Sequence, residues 1–253
     1  MSATTTIRYR LALQLATLVF LAAGTASQAA EGSGWSNQAL IYLLGPTLDG
    51  TSGIGPFDTE VDMDAGDVFD ALDGAFLGMY RGQNDRWGVA LDVVHMDLKG
   101  DATGDRGALS GSINVKQTTM IGTGYYRLSR ELRLIGGALF NDLSTRVALS
   151  GPLNDRNQRF GDDWVDPIVG VGYDVPLGQK WDFSGSALVG GFGVGSDLVM
   201  VFSASFAYRF NDWASITLGG RYLDFDYEDG EGEDRFKFDM KQYGPAVGFR
   251  FNF

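Results

Sequence analysis

Beyond residue 30 the chain alternates apolar and polar side chains with a period of two, and no stretch sustains the 3.6-residue period of an amphipathic helix. Segments rich in Val, Ile, Phe, Tyr and Gly predict strands near 36–44, 73–83, 86–98, 113–127, 131–148, 164–175, 180–193, 197–210, 212–228 and 235–253. Tight turns are predicted at Asn84 and Asp85, Ser129 and Arg130, residues 176–179, and Asn211 and Asp212. The remaining connections are longer, at 45–72, 99–112, 149–163 and 229–234, with only 194–196 short. Short and long connections therefore alternate. Ten strands bring both ends of the sheet region to the short-turn side.

Side-chain parity divides each strand into two faces. Phe202, Ala204, Phe206, Tyr208 and Phe210 oppose Ser203, Ser205 and Arg209; Ile216, Leu218 and Tyr222 oppose Ser215, Thr217 and Arg221. Trp181, Phe183, Ala187 and Val189 oppose Asp182, Ser184 and Ser186, and Val247, Phe249, Phe251 and Phe253 oppose Gly248, Arg250 and Asn252. A soluble barrel could carry the same alternation with its apolar face inward. The aromatics decide between them. Trp87, Trp181 and Trp213 each follow a short turn, and Tyr80, Tyr126, Tyr173, Tyr208 and Phe253 fall near strand ends at that height. One level of amphipathic rings is what a membrane interface selects. The expectation is an all-β fold: an antiparallel up-and-down transmembrane β-barrel of about ten strands, eight being the alternative, in the outer membrane.

The first residues fit that destination. Arg8 and Arg10 precede a mostly apolar run over 11–23, and Ser27, Gln28 and Ala29 supply cleavage-site spacing. This predicts a cleaved signal peptide over 1–29 and a barrel domain over 30–253, because the run is too short to span a bilayer. The whole chain has 20 basic and 32 acidic residues, a net of −12. Without Arg8 and Arg10, 18 basic residues face the same 32 acids, a net of −14. That balance argues against nucleic acid. The absence of cysteine removes disulfide scaffolds, Cys-ligated metals and thiol catalysis, and a single histidine removes multi-His metal sites. No cofactor is expected.

The final residues, Gly248, Phe249, Arg250, Phe251, Asn252 and Phe253, resemble the C-terminal assembly signal of small Gram-negative outer-membrane β-barrel proteins. Gly248, Phe251 and the terminal Phe253 match it, while Ala246 departs from the polar residue often found at its start. The resemblance implies recognition by the barrel-assembly machinery. Residues 67–78 followed by Arg86, Trp87 and Gly88 also look like a poorly characterised proteobacterial barrel family, which implies no activity.

Three constellations are candidates for function. Arg209, Arg221 and Arg250 fall on inward faces, joined near the short turns by Arg127 and Arg133, with Asp182, Asp166 and Asp92 as inward acids. They form either an ion-paired plug, the preferred reading, or a constriction selective for small anions. Toward the long loops the chemistry reverses. Leu223, Phe225 and Tyr227 turn inward, as do Phe236, Phe238 and Met240, and Val94 and Met96. Unless β-bulges intervene, this lining is either a cap packed by Val68, Phe69 and Leu72 or a pocket for a small hydrophobic ligand, the cap being preferred. Third, Asp49, Asp58, Glu60, Asp62, Asp64, Asp67 and Asp70, with Glu228, Asp229, Glu231, Glu233 and Asp234, predict a solvated acidic outer surface facing lipopolysaccharide. Their spacing is not that of a calcium loop, and no metal site is assigned.

Some ten-stranded barrels are proteases, so a rim hydrolase using His95 with Asp97 or Asp92 is the competing class. His95 and Asp97 share an outward face, and no catalytic residue is assigned. The expected role is non-enzymatic: structural, or a narrow channel or binding site for small molecules, in contact with outer-membrane lipid.

Overall fold

The computed structural model describes residues 34–103, 110–150 and 156–253. The predicted leader and parts of two long outer connections lie outside the described residues. Antiparallel strands dominate: β1 (Ser36–Leu44), β2 (Thr47–Ile54), β3 (Phe57–Met63), β4 (Leu72–Gln83), β5 (Trp87–Thr103), β6 (Ser110–Arg127), β7 (Leu132–Ser150), β8 (Arg156–Leu177), β9 (Trp181–Gly191), β10 (Leu198–Arg209), β11 (Ala214–Asp229) and β12 (Phe236–Asn252). One short helix, α1 (Ala65–Ala71), precedes β4. Ten strands close the barrel in the order β1, β4, β5 and onward to β12, which pairs back onto β1.

The short turns form because side chains stand in for ladder partners. The Asn84 carboxamide oxygen accepts the amides of Arg86 and Trp87 at 2.9 and 2.7 Å. Asn211 does the same for Trp213 and Ala214 at 3.1 and 2.8 Å. Ser129 Oγ accepts from Glu131 and Leu132 at 3.2 and 3.0 Å. Such local side-chain acceptors are why Asn and Ser favour turns.

The region 45–72 is not the simple loop expected from its composition. β1 and β2 run successively along the same neighbour, β12, interrupted by Gly45 and Pro46. A Cβ at Gly244 would collide with the Gly45 carbonyl, so the two backbones meet there without side chains between them. β3 folds back onto β2, and α1 follows. Asp64 caps this helix by accepting the Asp67 amide at 3.0 Å, while Asp67 accepts the Asp64 amide at 3.2 Å. The outer strands are also longer than expected, with β5 reaching Thr103 and β8 starting at Arg156.

The outward face carries an apolar belt bounded by aromatics. At the short-turn level Trp87 packs against Tyr126, Trp181 against Tyr208, and Trp213 against Phe251, with centroids 4.8, 5.0 and 6.1 Å apart. Above them Ile41, Leu43, Leu134, Val169, Phe206, Leu218 and Phe249 are exposed. The belt ends at one level. His95, Thr118, Asp142 and Asp163 are successive cross-strand partners there, and Asp224 pairs with Lys241. A belt of exposed Leu, Val and Phe closed by rings at its lower rim and polar residues at its upper rim is a lipid-facing surface. The barrel spans the outer membrane, with short turns and both ends of the sheet on the periplasmic side.

Candidate functional site

The interior changes chemistry at the level where the exterior does. On β5, Val93 faces lipid and His95 faces water, while on the inside Asp92 gives way to Val94. On β11, Tyr222 outside is followed by Asp224, while Arg221 inside is followed by Leu223. The pairing of β10, β11 and β12 runs through this level without a register shift, so no bulge produces the reversal. Inside the membrane the outer surface must be apolar and the lumen takes the polar residues. Above it the outer surface meets water and the lumen becomes an ordinary apolar core.

That outer core is filled. Leu139, Ile168, Val199, Leu223, Phe225, Tyr227, Phe236, Phe238 and Met240 form one cluster with Val68 of α1. Trp164 stacks on Tyr227 at 3.9 Å and meets Phe225 edge-on at 6.3 Å. Val94 and Met96 pack separately with Tyr42 and Leu77. The rim residues singled out by parity are therefore inward and packed. Val68 inserts; Phe69 stays exposed beside Gly45. Burial and an Asp162 acceptor at 2.7 Å push the Tyr227 hydroxyl pKa up. One polar network interrupts this core. Gln242 donates to Gln117 at 2.8 Å, and Gln117 and Thr119 donate to Asn141 Oδ1 at 3.1 and 2.6 Å.

Asp166 is inward but, among the described residues, meets no arginine in a salt bridge. It accepts the Ser196 amide at 2.6 Å, the Ser196 hydroxyl at 2.8 Å and the Trp164 indole at 3.1 Å. It thereby ties the 192–197 connection down over the filled outer lumen.

The inner half holds the arginines. Arg221 donates to Asp92 at 2.5 Å and to Tyr42 at 2.7 Å, and Tyr42 donates to Asp92 at 2.8 Å. Arg133 pairs with Asp174, which also lies 3.7 Å from Arg81 and accepts from Ser184 at 2.5 Å. Arg127 and Tyr125 both donate to Gln83, at 2.9 and 2.8 Å. Nearer the periplasm Asp182 is shared by Arg250 at 2.9 Å and Arg209 at 3.4 Å. All six expected members, Arg127, Arg133, Asp182, Arg209, Arg221 and Arg250, thus face this half. Arg81 and Asp174 belong with them and were missed. Both lie on the inward parity of β4 and β8, but glycines and apolar residues around them obscure the pattern.

The competing catalytic group is not assembled. His95 points outward, its Nδ1 2.9 Å from Thr118 Oγ1. Asp97, on the same face, is occupied by Lys116 and by Asn114 at 2.5 Å. Asp92 is on the other side of the wall, held by Arg221. Among the acidic outer residues, Arg235 bridges Glu228 at 2.8 Å and Asp58 at 2.7 Å. Those contacts hold both carboxyls below their ordinary pKa. Among the described residues, no three carboxylate or imidazole groups converge on a metal-sized space.

The chain has the fold of a Gram-negative outer-membrane β-barrel. Solved structures similar to it include the translocator domain of the autotransporter NalP from Neisseria meningitidis, at 14% identity, full coverage of both chains (100% and 100%) and a TM-score of 0.45. The outer-membrane protease OmpT of Escherichia coli matches at 9% identity over 87% of this chain and 97% of its own, TM-score 0.44. The attachment invasion locus protein Ail of Yersinia pestis matches at 10% identity over 86% and 99%, TM-score 0.38. Ail's two matches differ, and 0.38 belongs to its complex with a heparin analogue. No protein-family model and no curated protein sequence matches. These neighbours include a translocator domain and a protease, and likeness this low carries nothing about the role of this chain.

Proposed function

We propose that this protein is a non-enzymatic, non-conducting outer-membrane barrel: a structural element closed toward the outside and open as a narrow vestibule toward the periplasm. The filled outer lumen carries this reading. Phe225, Leu139 and Val199 are 0% exposed, and a packed core at their level supports closure. Val68 and the Asp166-tethered loop close the same region from above. A packed cap also accounts for the inward apolar rim without a hydrophobic ligand.

The remaining parts of the reading follow from the sequence. The leader over 1–29 exports the chain, and the barrel-assembly machinery reads Gly248, Phe251 and Phe253 before β12 pairs with β1. The acidic outer residues face lipopolysaccharide. Planar-bilayer recording with the purified barrel tests the closure: the expected result is no resolvable unitary current at any voltage the bilayer tolerates. A stable unitary current from the unmodified protein would sink it.

A further inference from the structure

The inner lumen holds more positive charge than its own acids neutralise. Arg81, Arg127, Arg133, Arg209, Arg221 and Arg250 face Asp92, Asp174 and Asp182, leaving an excess of three positive charges. A closed, narrow lumen is a poor solvent for unbalanced charge. Most of these arginines share their acid: Arg81 and Arg133 divide Asp174, and Arg209 and Arg250 divide Asp182. The Nε atoms of Arg81 and Arg250 are buried without a hydrogen-bond partner among the described residues.

Three of the six arginines line a real space. A cavity of about 180 Å³ lies between Arg81, Arg133 and Arg221, with Ser184, Ser186 and Ser203 among the hydroxyls on its wall. Arg133 lies against the backbone at Gly172 and pairs with Asp174. A Cβ at Gly172 would collide with its guanidinium, so the glycine is the floor on which that group lies. Its side chain is 5% exposed and that of Arg221 is 8%. Arg81 is 18% exposed and Arg250 16%, and Arg209, at the periplasmic mouth, reaches 36%. The approach is therefore from the periplasmic mouth, past Arg209 and Arg250, and it stops beneath the filled outer core.

We propose that this cavity binds a small oxyanion, of phosphate or short-carboxylate size, seated on the open side of Arg81, Arg133 and Arg221, away from Asp174, with the Ser186 and Ser203 hydroxyls beside it. Guanidinium forks suit the planar edges of such anions, and hydroxyl donors satisfy the remaining lone pairs. Chloride offers neither edges nor several acceptor atoms. The inference rests on the closed-barrel reading, because a blind vestibule holds an anion whereas an open pore passes it.

The test uses the whole folded barrel in detergent micelles, titrated separately with sodium phosphate, sodium acetate and sodium chloride at matched ionic strength. Unfolding temperature and calorimetric heat are both read. Phosphate or acetate, or both, should raise the unfolding temperature saturably while chloride does not, and whichever acts names the preferred anion. Arg81→Gln should weaken that binding at least tenfold, and Arg133→Gln likewise where it folds; Arg86→Gln, on an exposed turn, should leave it unchanged. Equal effects of all three salts, no saturable effect of either oxyanion, or undiminished binding in Arg81→Gln would overturn the site. Bilayer recording separates the two failures. A current with intact anion binding removes the closure alone, and absence of both current and binding removes the anion site alone.

Discussion

The two halves of this lumen are built on the same strands, with the same parity, and solve opposite problems. In the inner half the wall is wrapped in lipid, so the apolar side chains go outward and Arg221, Asp92 and Ser203 go in. In the outer half the wall stands in water, so Asp224 and Asp226 go outward and Leu223, Phe225 and Tyr227 go in. The lesson is that alternation alone does not say which face is the core. The surrounding solvent does, and a strand that crosses from one solvent to the other reverses its interior without altering its geometry.

Substitutions distinguish the halves by how they fail. Phe225→Ala, in the outer half, should cost about 3–5 kcal/mol because it leaves a cavity in a packed core. Urea titration of refolded protein would show it as a lower midpoint. Asp92→Leu, in the inner half, should cost about 3 kcal/mol by stranding Arg221 as a buried unpaired charge. The double variant Asp92→Leu with Arg221→Met should recover most of that loss, whereas no second substitution at Arg221 should rescue Phe225→Ala. Failure of the double variant to recover would mean the pair stabilises the fold rather than merely neutralising itself.

Along the outside of β11 the contrast is between solvents. Leu218→Arg places a cation in the lipid belt and should cost about 2–4 kcal/mol, while Asp226→Arg, two turns of pleat above the boundary, should cost near zero. Equal costs would misplace the boundary.

Much of this was legible in the sequence. The strands, the short turns, the ring of aromatics and the inward arginines all follow from a two-residue period read against tight turns. The reversal of the interior was legible too, because Asp224, Asp226 and Glu228 continue the outward parity of Leu218 and Tyr222. The region 45–72 was less legible. Its strands β2 and β3 are rich in Gly, Thr and Asp, and their few apolar residues, Leu48, Val61 and Met63, acquire meaning only beside β12 and the outer core. The partners of Asp166 were not legible, since an acid of inward parity looks like an arginine partner until a loop amide is found against it. Arg81 and Asp174 were hidden for a related reason: the partner that gives each its role lies on a distant strand.

A smaller effect concerns pH. Arg235 holds Asp58 and Glu228 below their ordinary values, 3.8 and 4.5, through exposed hydrogen bonds. A carboxyl whose folded pKa is depressed stabilises above its unfolded value and loses that contribution as pH falls through the folded one. Amide exchange around 55–58 and 228–235, divided by the intrinsic amide rate at each pH, should therefore be slowest at neutral pH and quicken below about pH 4.5. In Arg235→Ala it should be uniformly faster and lose that dependence. The change should be slight, because exposed ion pairs are screened.

The most direct measurement exploits the absence of native cysteine. Single variants Ser203→Cys, on the inner lumen wall, and Val199→Cys, in the filled outer core, are treated with a membrane-impermeant thiol reagent from one side at a time. The expected result is that Ser203→Cys reacts from the periplasmic side only and Val199→Cys reacts from neither. Labelling of Ser203→Cys from outside intact cells would show a continuous path through the outer core and contradict the closed barrel.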